Sequence, residues 1–258
     1  MAKGVSIKFK SYEETIPKLL DLIKFNNELK KHEKIILKPY LSEVKEKNTP
    51  VAFVEEILKY CISNKNSSAE IFIAEGVDGA DTLELFEEEG YKKLAEKYPI
   101  GLIDLNHSEV SETMSRDFVK FEKVMYPKLL QEGFVISLPK LREDEELEML
   151  GALSIMIGAY PSSYYSGFFS SKKNKIRKWP LRYSIHDIVT CKMPEFGIID
   201  ASERGAIVAG RPLEMDKQAA KLIGKENSIG YLRLIEESSA ARAERDKIKE
   251  EKNREKNE

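Results

Sequence analysis

The stretch Lys34–Pro39, KIILKP, is a short run of branched apolar residues that ends at a proline. Three later stretches, Ile71–Ala74, Gly133–Leu138 and Phe196–Asp200, have the same continuous apolar character. Runs that do not alternate with polar residues are typical of strands buried on both faces, as parallel strands are. The four runs therefore predict a sheet that is covered on both sides.

Helical patterns lie between these runs. A capping box at 11–14, the pair Thr49-Pro50 and a second capping box at 81–84 each predict a helix start, the last for a helix that reaches about Lys97. A further helix is expected over Pro212–Ile223, with Gly224 at its end. The alternation of strands and helices predicts one α/β domain with a mainly parallel sheet and helices on both faces.

Three other stretches complete the predicted organisation. Phe118–Val124 is expected to be a strand and Tyr126–Gln131 a short helix. Residues 160–182, called the basic-aromatic loop below, mix serines, aromatic residues and cations without a period. Almost no apolar residue follows Glu236, so we expect an α/β domain over 1–235 and a charged helical tail over 236–258.

Composition excludes several classes of function. The 42 basic and 44 acidic side chains leave a formal charge of -2, so the whole chain lacks the positive field typical of general nucleic-acid binders. Cys61 and Cys191 are far apart and no CxxC pair occurs, so this chain alone is not expected to hold a zinc ribbon or an iron–sulfur cluster. The three histidines are scattered, and no metal site is predicted.

The same features predict a location. Met1–Phe9 lacks the apolar run of a secretory signal, and no stretch approaches the roughly 18 apolar residues that cross a bilayer. Two cysteines without a pairing pattern are typical of a reducing compartment. We therefore expect a cytoplasmic protein that is neither secreted nor inserted in a membrane, and that has no membrane among its partners.

Four charged residues directly end the apolar runs: Lys38, Glu75, Lys140 and Asp200. Ligands of open parallel sheets bind outside the carboxyl ends of the strands, where these side chains are expected to gather. Two cations and two carboxylates suit a small anionic ligand, or proton transfer by a lysine whose pKa is lowered by burial. Alternatively, they are ordinary strand-end charges that reach water.

Asp216 is a fifth candidate, because it shares the apolar stripe of its helix with Leu213, Ala220 and Ile223. A buried carboxylate must be paired or hydrogen-bonded. We therefore expect a partner such as Lys140 or Lys38. A capping or supporting role is the alternative to catalysis.

The basic-aromatic loop is a candidate nucleic-acid site, because cations pair with phosphates and aromatic rings stack on bases. The alternative is a solvated loop with an aromatic cluster anchored in the core. The residues that would contact nucleic acid are Lys172, Lys173, Lys175, Arg177, Lys178, Trp179 and Arg182.

The order of several motifs resembles the family catalogued as domain of unknown function 362. Ile35–Pro39, Ile73–Gly76 and Ile136–Leu141 are similar to its strand-end motifs, and Ile207–Gly224 to its carboxyl-terminal segment. The resemblance implies an α/β fold but no general reaction. Members often carry ferredoxin-type modules, which are absent from this sequence.

The sequence departs from the family pattern at three places. Tyr40 stands where the family has asparagine, Arg142–Asp144 replaces Lys-Thr-His, and Ser154-Ile155 replaces Lys-Asn. Three functions of different classes therefore stay open. The first is binding of a small anionic ligand at the strand ends, with or without catalysis. The second is a catalytically degenerate scaffold that binds RNA, a ribonucleoprotein such as the ribosome, or a protein partner; docking to a separate ferredoxin is a third. No pattern indicates an oligomeric state.

Overall fold

The computed structural model describes the backbone of residues 4–255 and the side chains of residues 4–248. Its centre is a seven-stranded sheet in which five neighbouring strands are parallel. In spatial order the strands are β1 (Val5–Lys8), β11 (Ala206–Gly210), β10 (Phe196–Ala201), β7 (Phe134–Leu138), β2 (Lys34–Pro39), β3 (Glu70–Glu75) and β4 (Gly101–Asp104). Strand β11 runs antiparallel to both of its neighbours. The mainly parallel sheet is thus confirmed.

Two short hairpins and ten α-helices complete the described chain. The hairpins are β5 (Val110–Thr113) with β6 (Val124–Pro127), and β8 (Arg142–Asp144) with β9 (Glu148–Leu150). The helices are α1 (Tyr12–Leu22), α2 (Asn26–Leu29), α3 (Val51–Asn64), α4 (Thr82–Glu88), α5 (Tyr91–Lys97), α6 (Lys128–Glu132), α7 (Ser162–Tyr165), α8 (Leu181–Cys191), α9 (Pro212–Leu222) and α10 (Gly230–Glu255). Short 3₁₀ segments cover Lys45–Lys47, Ser154–Ala159, Asn174–Arg177 and Ser202–Arg204.

Each face of the sheet has its own apolar core. Successive side chains of a strand point to opposite faces, so Ile35 and Leu37 pack with helices α1–α5 while Ile36 packs with the second half of the chain. The second core contains buried residues of α6–α10 and of the segment 152–160. Helices on both faces of the sheet are therefore confirmed.

Several local predictions hold and others fail. Ser11 caps α1 by accepting from the Glu14 N–H, and Asp81 caps α4. Thr49 does not cap α3; its hydroxyl instead donates to the Leu138 carbonyl at 2.7 Å. The expected helix to Lys97 is two helices, because the chain turns at Gly90, which has a φ of 85°.

The predicted strand Phe118–Val124 is wrong. Backbone N–H groups of 119–121 donate to the Asp187 carboxylate on α8, which holds this stretch in a turn outside any sheet. The strand begins at Val124 and the short helix at Lys128, both later than the apolar pattern indicates. A carboxylate distant in sequence therefore decided the local structure.

The charged carboxyl-terminal helix is present as far as Glu255, and residues 256–258 of the predicted tail lie outside the described residues. The expected domain boundary at 235/236 falls inside α10. Tyr231, Leu232 and Ile235 on its first turns are buried. Farther along, Arg242 lies 2.9 Å from Asp117, and Arg245 pairs with the same carboxylate. The helix thus contacts the sheet-bearing part of the chain beyond the predicted boundary. Among the residues described, no helix has both the length and the apolarity needed to cross a membrane.

Candidate functional site

A pocket of about 430 Å³ lies where β2 and β3 end, and we call it the strand-end pocket. This is the edge at which open parallel sheets bind ligands. Its walls come from the chain after β2, the chain after β3, the turn that joins β8 to β9, the buried segment 152–160, and the basic-aromatic loop. They include Tyr40–Val44, Lys47, Gly76, Asp78, Asp144–Leu147, Ile157, Gly158, Lys172, Lys173, Ile176, Arg177 and Leu181.

A buried ion pair lies directly beneath Gly158. Lys38 Nζ is 2.9 Å from Glu75 Oε2, and both side chains are essentially inaccessible to solvent. Lys38 also donates to the Ile155 carbonyl at 2.7 Å, and Glu75 accepts from the Gly76 N–H at 2.8 Å. Burial lowers the pKa of Lys38, and the Glu75 carboxylate opposes that shift. Two of the predicted strand-end residues therefore meet.

Two glycines make this close approach possible. A Cβ atom on Gly158 would lie 2.0 Å from Glu75 Oε1, and one on Gly76 would lie 2.4 Å from the Gly158 carbonyl oxygen. Any larger residue would occupy the space that the carboxylate or the carbonyl fills. The pocket floor and the buried pair are thus parts of one tightly packed unit.

A second buried lysine reaches this unit from the basic-aromatic loop. Lys173 is 1% exposed, and its Nζ donates to the carbonyls of Gly76 at 2.7 Å and Gly158 at 3.2 Å. Its backbone N–H donates to Asp78. Burial lowers the pKa of Lys173 to about 8. Among the described residues, no carboxylate forms an ion pair with its ammonium group.

The charges at the rim of the pocket are largely paired with one another. Lys47 lies 2.6 Å from Asp144, and Arg177 bridges Asp78 at 2.5 Å and Glu146 at 3.2 Å. Burial raises the pKa of Tyr40 well above its usual range, with the nearby Asp144 adding to the effect. These pairs fix the pocket walls to one another.

Lys140 and Asp200 lie at the same edge of the sheet, but their side chains do not line the strand-end pocket. Their backbones form a parallel bridge, yet Lys140 pairs with Glu203 at 2.8 Å. Asp200 accepts from the Tyr12 hydroxyl of α1 at 2.7 Å, on the face opposite to Lys38. Successive side chains of a strand point to opposite faces of the sheet. Asp200 and Lys38 therefore lie on different faces although they share one edge.

Asp216 has no lysine partner, so that expectation is wrong. Its carboxylate accepts from the N–H groups of Ala152 and Leu153 and from the Tyr231 hydroxyl, the latter two at 3.0 Å. It therefore caps the 3₁₀ segment Ser154–Ala159, which forms the far side of the pocket floor. Burial raises the pKa of Asp216 to about 7.

The cations of the basic-aromatic loop have different environments. Lys173 is buried, Arg177 is paired with carboxylates, and Arg182 stacks on Tyr183 at 5.1 Å. Lys172, Lys175 and Lys178 are exposed, and Trp179 is 38% exposed. Lys175, although exposed, donates to the Tyr164 carbonyl at 2.7 Å, so four of the six predicted cationic contacts are engaged within the protein. Binding of nucleic acid by this loop stays a prediction.

Sequence reasoning did not single out several residues of the pocket walls. Nothing in the cationic run distinguishes the buried Lys173 from the exposed Lys172 and Lys175. The departures from the family pattern did point to the pocket, because two of the departing residues, Tyr40 and Asp144, line it. No group of three potential metal ligands occurs among the described residues.

The fold and the pocket define an α/β protein with a ligand-sized cleft at the carboxyl edge of its sheet. The chain belongs to the family described as domain of unknown function (DUF362), whose model matches residues 35–218. No curated protein matches the sequence.

Comparison with solved structures shows a shared fold. The structure is similar to that of the lactate racemase apoprotein from Thermoanaerobacterium thermosaccharolyticum, with a TM-score of 0.58 and 14% sequence identity. The likeness covers 86% of this chain and 57% of the racemase chain, so this chain spans little more than half of its neighbour's length. At 14% sequence identity, the similarity shows a shared fold and nothing finer.

Proposed function

We propose that the strand-end pocket binds a small anionic ligand. The observation that carries this proposal is the charge of the unit beneath the pocket. Two buried lysines, Lys38 and Lys173, lie near one buried carboxylate, Glu75, which forms its ion pair with Lys38. Lys38 and Glu75 neutralise each other, so the ammonium of Lys173 is left with carbonyl partners alone.

An uncompensated positive charge in a poorly solvated setting attracts an anion more strongly than the same charge in water. The pocket volume of about 430 Å³ is within the range of small-molecule sites. Lys172 on the same wall is exposed and adds a second cation near the mouth. Lys47 and Arg177 are paired with carboxylates, so the attraction for an anion comes from Lys172 and Lys173. Glu43 and Glu145, which line the pocket without an ion-pair partner among the described residues, oppose this attraction.

If the pocket also performs a reaction, we propose Lys173 as the group that exchanges a proton with the ligand. With a pKa lowered to about 8, Lys173 is present in both protonation states near neutral pH. Lys38 is enclosed by Glu75 and by the carbonyl of Ile155 and does not line the pocket. Lys38 and Glu75 are therefore positioning residues in this proposal.

The choice of probes follows from charge and size. The structural neighbour is named as a lactate racemase, and lactate is a small carboxylate. Lactate, sulfate and inorganic phosphate thus form a first panel. We also propose a cytoplasmic location, because both cysteines are free thiols in the structure.

Calorimetric titration with each anion tests the proposal. Lys173→Met keeps the length of the side chain and removes its charge, and we expect it to weaken anion binding at least about tenfold. Lys175→Met is the matched control, because Lys175 belongs to the same loop but is exposed and outside the pocket. Equal affinity in the wild type and Lys173→Met would reject the proposed site.

A further inference from the structure

Two phenylalanines of the basic-aromatic loop are almost completely exposed. Phe168 and Phe169 are each 96% accessible, and their ring centroids lie 4.8 Å apart in an edge-to-face arrangement. They occupy the central positions of a turn in which the Ser170 N–H approaches the Gly167 carbonyl. The turn therefore presents both rings at its tip. We call this tip, residues 167–170, the phenylalanine tip.

The phenylalanine tip stands on a fixed base. The Ser166 hydroxyl donates to the Ser171 carbonyl at 3.2 Å, and the Ser171 hydroxyl donates to the Gly79 carbonyl at 3.0 Å. Immediately before the tip, Tyr165 is buried, and its hydroxyl accepts from the Met125 N–H. Both ends of the tip are thus attached to the body of the protein. The exposure of the two rings is a feature of a folded loop.

The segment that carries the phenylalanine tip has charges of one sign, although the carboxylate of Asp78 from another part of the chain lies against its base. Between Glu148 and Asp187 the sequence contains no aspartate or glutamate but six lysines and arginines. Lys172, Lys175 and Lys178 are exposed. The loop also exposes two further aromatic residues, Tyr164 at 44% and Trp179 at 38%. Although the whole chain carries a formal charge of -2, this segment is locally cationic.

Exposed aromatic rings next to lysines could contact a protein, a nucleic acid or a lipid bilayer. The shape of the phenylalanine tip favours one of these three. A stable protein interface buries more than about 1,000 Å² of complementary surface, which a convex turn with two rings does not offer by itself. Base stacking needs open ring faces along a groove, whereas these two rings contact each other. A bilayer surface accepts protruding aromatic side chains without a matching shape, and its anionic lipids attract lysines.

We propose that the phenylalanine tip docks this protein onto an anionic lipid bilayer. Phe168 and Phe169 enter the boundary between head groups and acyl chains, and the exposed lysines Lys172, Lys175 and Lys178 contact lipid phosphates. This contact lies at the membrane surface and involves no spanning helix. It can be tested separately from the anion proposed for the strand-end pocket, because Lys173, the buried lysine of that site, takes no part, and because Lys175 and Lys178 do not line that pocket.

Cosedimentation of the full chain with lipid vesicles tests the proposal. Wild-type protein is expected to bind phosphatidylcholine vesicles that contain phosphatidylserine, and added salt should weaken the binding. The double variant Phe168→Ser/Phe169→Ser should bind at least about tenfold less tightly, because each exposed ring loses its apolar burial in the lipid. Lys175→Gln/Lys178→Gln, which leaves the strand-end pocket unchanged, should reduce binding and its salt dependence together.

The controls separate this inference from other causes. Leu83→Ser alters another exposed apolar residue, 56% accessible and outside the loop, and should bind vesicles like the wild type. Lys173→Met should also retain vesicle binding, even where it loses anion binding. Thermal unfolding of the phenylalanine variant checks that its fold is intact. Failure of the wild type to bind anionic vesicles, equal binding by the phenylalanine variant, or capture of single-stranded RNA in place of vesicles would overturn the proposal.

Discussion

At the residue scale, the packing around Gly158 is the most demanding feature of the site. The carboxylate of Glu75 occupies the position that a side chain at residue 158 would need, 2.0 Å from its Cβ atom. A buried carboxylate cannot move without breaking its ion pair and hydrogen bonds. A larger residue at position 158 would therefore disturb both the pocket floor and the Lys38–Glu75 pair.

Gly158→Ala is therefore expected to lower the free energy of unfolding by about 2–4 kcal/mol, through overpacking and disruption of the Lys38–Glu75 pair. Urea denaturation followed by circular dichroism measures the change. Gly167→Ala is the matched control, since a Cβ atom there meets its nearest neighbour at 3.5 Å, an ordinary contact. An alanine at 158 as harmless as the control would contradict the described packing.

The Lys38–Glu75 pair makes a second residue-scale prediction. Removing one member leaves the other charge buried without its partner, so Lys38→Met and Glu75→Gln should each cost about 3–5 kcal/mol. The double variant should cost less than the sum of the two, by at least about 1 kcal/mol, because neither charge remains. A double-mutant cycle from urea unfolding measures this coupling. Strict additivity would show that the two side chains do not interact.

Asp216 predicts a pH dependence. Its folded-state pKa is raised to about 7 from 3.8, so its contribution to stability is fully present below about pH 4 and is lost as the pH rises towards 7. In Asp216→Asn the side chain at this position has no titratable group. Its stability relative to the wild type should therefore rise between pH 4 and pH 8, by up to about 4 kcal/mol. Unfolding free energies of both proteins at the two pH values test this, and a constant difference would contradict the raised pKa.

At the element scale, the sequence identified β2, β3, β7 and β10 well because each is a continuous apolar run that is buried on both faces. It failed at 118–127, where the Asp187 carboxylate on a later helix holds the backbone in a turn. Thr49 is a residue type that commonly caps helices, but its hydroxyl donates to the Leu138 carbonyl at the end of β7. In both cases a tertiary hydrogen bond outweighs a local signal, and a single sequence does not show such bonds.

The boundary predicted at 235/236 is tested at the element scale by truncation. A chain ending at residue 235 loses ion pairs of Glu236, Arg242 and Arg245, which are partly exposed. It should lose less than about 2 kcal/mol of stability. A chain ending at residue 228 also loses the buried Tyr231, Leu232 and Ile235 and should lose more than about 4 kcal/mol. Equal losses in thermal or urea unfolding would reject the predicted boundary.

At the scale of the whole molecule, the shared edge of the sheet was predictable and the pocket was not. The four strand-end residues lie at that edge as the strand order requires, but alternation sends Lys38 and Asp200 to opposite faces. The strand-end pocket is closed by loops more than a hundred residues apart in sequence, and Lys173 is distinguished from its cationic neighbours only by burial. Such closure depends on tertiary packing, which local patterns do not record.

We propose that the protonated ammonium of Lys173 holds the anion in the strand-end pocket. The most direct measurement is the affinity for sulfate or lactate, whose charges stay constant, by calorimetry from pH 6 to pH 10. Because the pKa of Lys173 is lowered to about 8, we predict constant affinity below pH 8 and a fall towards tenfold per pH unit above it. An affinity that stays level across this range, or that falls in the same way in Lys173→Met, would contradict the claim.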